Sequence, residues 1–276
     1  MCDDAGMATR PAHFVQTSDD TFEPTALAQS HWGDDHLNGP AVVGLAASVL
    51  DEVHGDPSFT PARLTVDLFK AARGVPTTAV TRVIRDGRRV RNVECELLQD
   101  GAAVARAILV QYRSSEAPRG EEWSRTVEFV PPPDVDDSLH IYVGCDDVGW
   151  TNAIAEHQNA ARKRCLNRSI DAVEGRANSP LTNAAAAAEG TSLVTNLGTA
   201  GVGYINGDLT VALARLPRTH WIGVQADSHW TADGISVGTA TLFDDAGPFG
   251  TGVVTAVSNP AAQIDFGHDP FPDRTR

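Results

Sequence analysis

A chain of 276 residues with 42% hydrophobic and 21% charged residues has the composition of a folded globular protein, which excludes disorder throughout. Against 22 Lys and Arg stand 36 Asp and Glu, a formal net charge of -14, so the overall field repels polyanions and no nucleic-acid partner is expected. The opening residues Met1-Cys2-Asp3-Asp4-Ala5-Gly6-Met7 lack the basic start and apolar block of a secretory signal. The longest apolar runs, 41 to 50 and 184 to 188, fall short of the roughly 20 residues that cross a bilayer, so a cytoplasmic protein with no membrane span is expected.

In chain order, Asn38-Gly39-Pro40 opens a helix in which Val42, Val43, Leu45, Ala46, Val49 and Leu50 recur at three- and four-residue steps. The segment is apolar nearly all round and is expected to be buried. Residues 63 to 70, 78 to 85, 89 to 98 and 104 to 113 are rich in Val, Ile, Leu and Thr and read as strands, with Asp86-Gly87 and Asp100-Gly101 as hairpin signals. A stretch with Ser114-Ser115, Pro118 and Pro131-Pro132-Pro133 has linker composition, and residues 139 to 143 restart the sheet. A second helix is expected over 183 to 197, then strands near 207 to 216, 221 to 229, 235 to 243 and 250 to 257, and an extended tail over 259 to 276.

The two halves repeat each other. Leu64-Thr65-Val66 recurs as Leu209-Thr210-Val211, and the turn at Gln99-Asp100-Gly101 returns at nearly the same displacement as Asp245-Ala246-Gly247, each copy with a small-residue helix upstream. The order helix then meander indicates an α+β layout in which a sheet wraps one long helix, present twice. The expected units are an N-terminal domain over 1 to 116, a linker over 117 to 138, a C-terminal domain over 139 to 258 and the tail.

Conventional chemical signatures are missing. Cys2, Cys95, Cys145 and Cys165 form no C-x-x-C pair and read as free thiols, and the nine histidines contain no short-spaced ligand set, so no metal or other cofactor is expected. No G-x-G-x-x-G, Walker loop or G-x-S-x-G elbow is present.

The combination of Phe22-Glu23-Pro24-Thr25, Leu37-Asn38-Gly39-Pro40, Arg63-Leu64-Thr65-Val66-Asp67-Leu68, Asp86-Gly87-Arg88-Arg89, Asn206-Gly207-Asp208-Leu209-Thr210 and Leu242-Phe243-Asp244 resembles the double-hotdog thioesterases related to acyl-CoA thioesterase II. The resemblance implies a tandem hotdog fold and metal-free hydrolysis of a fatty acyl-CoA, with an Asp, a strand Ser or Thr and a Gln holding the attacking water. It implies Asp208 as the carboxylate, where the first copy has Arg63, against the alternative of an exposed turn residue. The hydroxyl falls on Ser228, while a gap shifted by one chooses Asp227 or His229. The Gln falls on Val254, which can neither hold water nor donate to an oxyanion. That departure leaves a catalytically weak or inactive acyl-CoA- or lipid-binding protein as the second reading. Ala187-Ala188-Glu189-Gly190 stands where the family has a short Ala-Ala-Asp helix motif, so Glu189 joins Gly39 among the substrate-binding residues, beside the alternative of an exposed helical carboxylate. Arg88 and Arg89 lie in the densest basic stretch and are assigned to the CoA phosphates, beside the alternative of a solvated hairpin. The acyl chain is expected between the two central helices. Assembly into a homo-oligomer is left open.

Overall fold

The structure, a computed structural model, describes residues 10 to 268; the opening acidic segment, Cys2 and the end of the tail lie outside the described residues. The first half runs β1 (Ala12–Gln16), β2 (Thr21–Pro24), α1 (Gly39–His54), β3 (Phe59–Leu68), β4 (Thr77–Asp86), β5 (Val90–Gln99) and β6 (Ala102–Arg113). Helix α1 starts where its sequence dictates: Asn38 Oδ1 accepts from the Ala41 N–H at 2.8 Å, and Pro40 occupies the first turn, where a missing N–H costs nothing. Every residue from 41 to 50 is buried, as the all-round apolar pattern requires. The β5–β6 turn places Asp100 and Gly101 at φ 50° and 74°, the left-handed pair that an Asp-Gly hairpin uses.

The second half runs β7 (Ile141–Cys145), β8 (Gly149–Thr151), β9 (Lys163–Arg168), β10 (Asp171–Val173), α2 (Pro180–Ala188), α3 (Gly190–Asn196), β11 (Leu197–Gly198), β12 (Gly201–Val202), β13 (Tyr204–Asn206), β14 (Asp208–Leu213), β15 (Trp221–Ala232), β16 (Ile235–Asp244) and β17 (Gly247–Ser258). The expected single helix over 183 to 197 is therefore two. The small-residue segment from Ser179 does open the helix, the Ser179 side chain accepting from the Thr182 N–H, but the helix breaks at Glu189. The break has a packing cause. Gly190 lies so close to β9 that a Cβ there would sit 3.1 Å from Cys165 Sγ. Helices α1 and α2 run antiparallel, with Gly39 beside Glu189 and Gly44 beside Ala186.

One sheet spans both halves in the order β10-β1-β2-β4-β5-β6-β3-β14-β17-β16-β15-β9-β7-β8, with β13 also on β17. At its centre β3 and β14 are antiparallel, with Leu64 opposite Val211, Thr65 opposite Thr210 and Val66 opposite Leu209. The repeated Leu-Thr-Val tripeptides thus pair with each other about a local twofold, where the Thr65 and Thr210 hydroxyls meet at 3.0 Å. Pairing these strands removes the two edges that separate halves would expose.

Helix α3 is seated on glycines of the sheet. A Cβ at Gly238 would run into the Thr195 side chain, and one at Gly252 into Thr191 Oγ1. Gly238→Ala or Gly252→Ala is expected to cost about 1–3 kcal/mol, the usual range for overpacking a filled core. An unshifted denaturation midpoint would contradict this. Residues 114 to 140 carry no helix or strand but are held to the sheet, for Phe129 stacks on Phe243 at 5.1 Å and the Trp150 indole donates to the Val130 carbonyl. The tail departs from expectation. Ile264 exchanges backbone hydrogen bonds with Val202 of β12, Phe266 packs edge-on against His31, and both side chains join the core. No helix among the described residues is long and apolar enough to cross a membrane.

Candidate active site

Three elements converge on one carboxylate. Glu189 stands at the joint of α2 and α3, walled by a buried alanine run on one side and the start of α1 on the other, and is 8% exposed. Asn206 Nδ2 donates to Glu189 Oε1 at 2.6 Å. Burial pushes the carboxyl up to about 7, against the smaller opposing pull of the Asn206 hydrogen bond. Gly39, at the first position of α1, faces the same group so closely that a Cβ would fall inside the carboxylate. The Gly39 N–H finds no acceptor among the described residues, because it precedes the first intrahelical bond and Asn38 caps only Ala41. A base near neutrality and a free N–H at a helix N-terminus are the two groups that addition of water to a carbonyl requires. Gly39→Ala is expected to lower turnover by about 10² or more, since shifting the Glu189 carboxylate by an ångström spoils the attack geometry. Wild-type kcat in that variant would remove Gly39 from the site.

Asn206 reaches Glu189, whereas Asp208, two residues on, does not share its face. Along β17, Asn206 opposes Ala256 while Thr210 opposes Val253, so Gly207, Asp208 and Leu209 face only Val254 and Thr255. This irregularity undoes the period of two. Asn206 points in toward the helices, and Asp208 points out with Asp67 opposite it, its carboxylate bonded by the Thr255 N–H at 3.0 Å and by the Thr255 hydroxyl. A second bulge lies in β15 between Ala226 and Ser228. It leaves Ser228 on the outer face, hydrogen-bonded to Thr239 at 2.7 Å, and brings His229 in opposite Gly238, where its Nε2 lies 3.2 Å from Asn196 Oδ1. Asp227, the extra residue, accepts from Thr241 on the outer face.

Family models for the acyl-CoA thioesterase N-terminal domain and C-terminal domain match residues 28–112 and 113–257. The chain belongs to the acyl-CoA thioesterase family. Among solved structures, the tesB protein of Mycobacterium avium subspecies paratuberculosis is 16% identical over 90% of this chain and 96% of its own, with a TM-score of 0.64. A hot dog fold protein from Alicyclobacillus acidocaldarius is 15% identical over the same shares, also at 0.64. The acyl-CoA thioesterase II TesB2 of Mycobacterium marinum is 16% identical over 89% and 95%, at 0.59. At these identities the likeness is one of fold, and the fold is the hotdog. No curated protein matches the chain closely enough in sequence to count as a relative.

In this thioesterase the twofold does not extend to the chemistry. Counting from the two helix caps, Asn38 and Ser179, the position of Gly39 is taken in α2 by Pro180, which has no N–H, and the position of Glu189 is taken in α1 by Ser48. The pseudo-equivalent corner therefore has neither carboxylate nor donor. Val254 is fully buried in the core beneath α3. Arg88 and Arg89 are exposed in the β4–β5 turn, beside the C-terminal end of α1, about 24 Å of helix away from Gly39. Their neighbours Arg82 and Arg91 are taken up by Glu94 and by Asp86 and Asp56. Along the α1–α2 contact, where the acyl chain is expected, Gly44 lies beside Ala186. No cluster of three or more metal-ligating side chains occurs among the described residues, and Cys95, Cys145 and Cys165 are buried free thiols.

Asn206 was not singled out as a site residue in the sequence. Its signal was available, for Asn206-Gly207 precedes a strand and polar side chains that end up buried need partners.

Proposed function

We propose that this thioesterase hydrolyses a fatty acyl-CoA at one site per chain, in a tandem hotdog whose halves are joined by residues 117 to 138, with Glu189 rather than Asp208 as the base. The observation that carries the reading is the buried Glu189 carboxylate, poised near 7, with Asn206 on one side and the start of α1 on the other. Glu189 takes a proton from water as its oxygen attacks the thioester carbon. The carbonyl oxygen becomes an oxyanion against the Gly39 N–H and the positive end of α1. The C–S bond then breaks, and the proton held by Glu189 goes to the departing CoA sulfur, giving free acid and CoA thiol. Asn206 holds the carboxylate in place, and Ser228 and Asp208 are assigned to sheet packing instead of the reaction.

Release of CoA thiol from a panel of acyl-CoA thioesters tests the reading directly. The second reading, acyl-CoA or lipid binding without turnover, draws support from Val254, an apolar side chain where a polar one is expected. Val254→Gln is expected to cost about 1–3 kcal/mol for burying an amide and to raise turnover. A wild type that binds acyl-CoA without cleaving it, together with no gain in the variant, would establish the binding protein.

A further inference from the structure

The loop that follows β3 crosses the end of the molecule at which Glu189 stands. At its near end the Leu68 N–H donates to the Gly207 carbonyl at 2.8 Å, beside Asn206, and further along the Ala72 carbonyl accepts from the Leu37 N–H at 2.8 Å, two residues before Gly39. It is therefore tied to both elements that build the site. Gly39 and Asn206 are only partly buried and Gly207 is exposed, so solvent reaches the edge of the site at this end. What the loop presents there is Phe69, 52% exposed, with exposed Lys70 and Arg73. The Arg106 guanidinium lies over the Phe69 ring, 5.6 Å from its centroid. Lys70 makes no ion pair among the described residues, and the carboxylate near Arg73 is that of Asp35, at 3.6 Å and itself exposed.

The twofold counterpart of this loop is built differently. Counted from the Leu-Thr-Val tripeptides, Phe69, Lys70 and Arg73 correspond to Ala214, Arg215 and Arg218, and the bond from the Phe69 N–H to the Val104 carbonyl returns as Ala214 N–H to Phe249 carbonyl. Gln99, which ends β5, accepts from the Arg73 N–H at 2.9 Å just as Asp244, which ends β16, accepts from the Arg218 N–H at 2.8 Å. The difference is charge. Asp244 also takes the Arg215 guanidinium through two bonds of 2.6 and 2.7 Å, whereas the neutral Gln99 turns its amide to the Arg73 carbonyl at 2.8 Å. Around the corner with the carboxylate, the loop thus carries an aromatic ring where its twin has a methyl group, and cations that no inner carboxylate neutralises.

We propose that the loop from Phe69 to Arg73 holds the nucleotide end of the CoA ester, the adenine against the Phe69 ring and the phosphates on Lys70 and Arg73. The inference rests on Glu189 as the place where the thioester is cleaved. A chain with a net charge of -14 repels a polyanionic ester, so cations grouped beside the site are needed to offset that field. A phenyl ring stacks on the face of a base, and ammonium and guanidinium groups give charge-assisted hydrogen bonds to phosphate oxygens. Arg88 and Arg89 lie at the other end of α1 and take no part.

The test measures equilibrium binding of CoA, together with turnover of octanoyl-CoA and octanoyl-pantetheine, which share the thioester and differ in the nucleotide. Expected for Lys70→Glu combined with Arg73→Glu, and separately for Phe69→Ala, is a loss of at least about tenfold in CoA affinity and in kcat/KM for octanoyl-CoA, carried by KM, with octanoyl-pantetheine handled within about twofold of wild type. Arg88→Glu combined with Arg89→Glu makes the same change of charge at the far end of α1 and is expected to leave CoA affinity within about twofold. Unchanged CoA affinity in either loop variant, or an equal loss from the Arg88 and Arg89 pair, would overturn the proposal. So would an equal loss on octanoyl-pantetheine, which would make the loop a support of the site and not a holder of the nucleotide. No hydrolysis of either ester by the wild type would instead sink the reading of Glu189, and CoA affinity alone would then decide the role of the loop.

Discussion

Glu189→Gln is expected to lower kcat by about 10²–10⁴, the range for removing a positioned general base, while Asp208→Asn leaves kcat and KM at their wild-type values. The pair separates two readings of the same family motif. Both substitutions remove one negative charge and keep size, and both carboxylates are hydrogen-bonded, so a difference between them reports on position alone. Glu189 faces the start of α1 inside the molecule, and Asp208 lies on the outer face with Thr255. The Asp208 change should cost about 1 kcal/mol of stability through the weakened Thr255 contacts. Single-turnover measurement of CoA release checks both, and a collapse of kcat in Asp208→Asn with normal activity in Glu189→Gln would return the base to Asp208.

The second large effect is on pH. Burial raises the Glu189 carboxyl from 4.5 to about 7, so the base form accumulates only as pH climbs through neutrality, and kcat/KM should rise tenfold per unit below about 7 and level off above it. Stability moves the other way. Between 4.5 and about 7 the folded chain holds a proton that the unfolded chain has released, so the contribution of Glu189 is fully present below 4.5 and is lost as pH rises through about 7. At about 1.4 kcal/mol per unit, Glu189→Gln should stabilise the protein by roughly 3 kcal/mol at pH 8 and by nothing at pH 4. Urea midpoints of the two proteins across that range measure it. Parallel stability curves would mean that the Glu189 carboxyl titrates as an exposed one does.

Much of the frame can be read from residue order alone. Asn38-Gly39-Pro40 announces a capped helix because each residue type suits one position of a helix start, and α1 begins there. The Leu-Thr-Val repeat marks the strands that meet at the centre of the sheet. Short pieces such as β1, β2 and β10 escaped because three to five residues carry too little alternation to stand out, and their pairing depends on a distant partner. The site was harder for a specific reason. Asp208 and Ser228 follow from the family motif, and each lies beside a strand irregularity that decides which face it takes, something residue order does not display. Glu189 is legible as a substrate-binding residue beside the alternative of an exposed helical carboxylate, and what the sequence does not show is its burial at the end of an alanine run that offers no polar face.

Glycine at the start of one central helix and glutamate at the bend of the other come from opposite halves of the chain. A symmetric dimer of identical subunits would have to carry both in every copy, and would form two sites or none. Fusion releases that constraint. One half can keep the proline that best starts a helix, the other the glycine that the proposed oxyanion site needs, and each residue is free to change without dragging its twin along. The corner at Ser48 and Pro180, where Ser179 caps the helix and Ser48 is buried, would on this proposal be left to packing alone. If the proposed site is right, activity is a signal that the two halves have come together, and a chain cut between them would regain catalysis only by complementation.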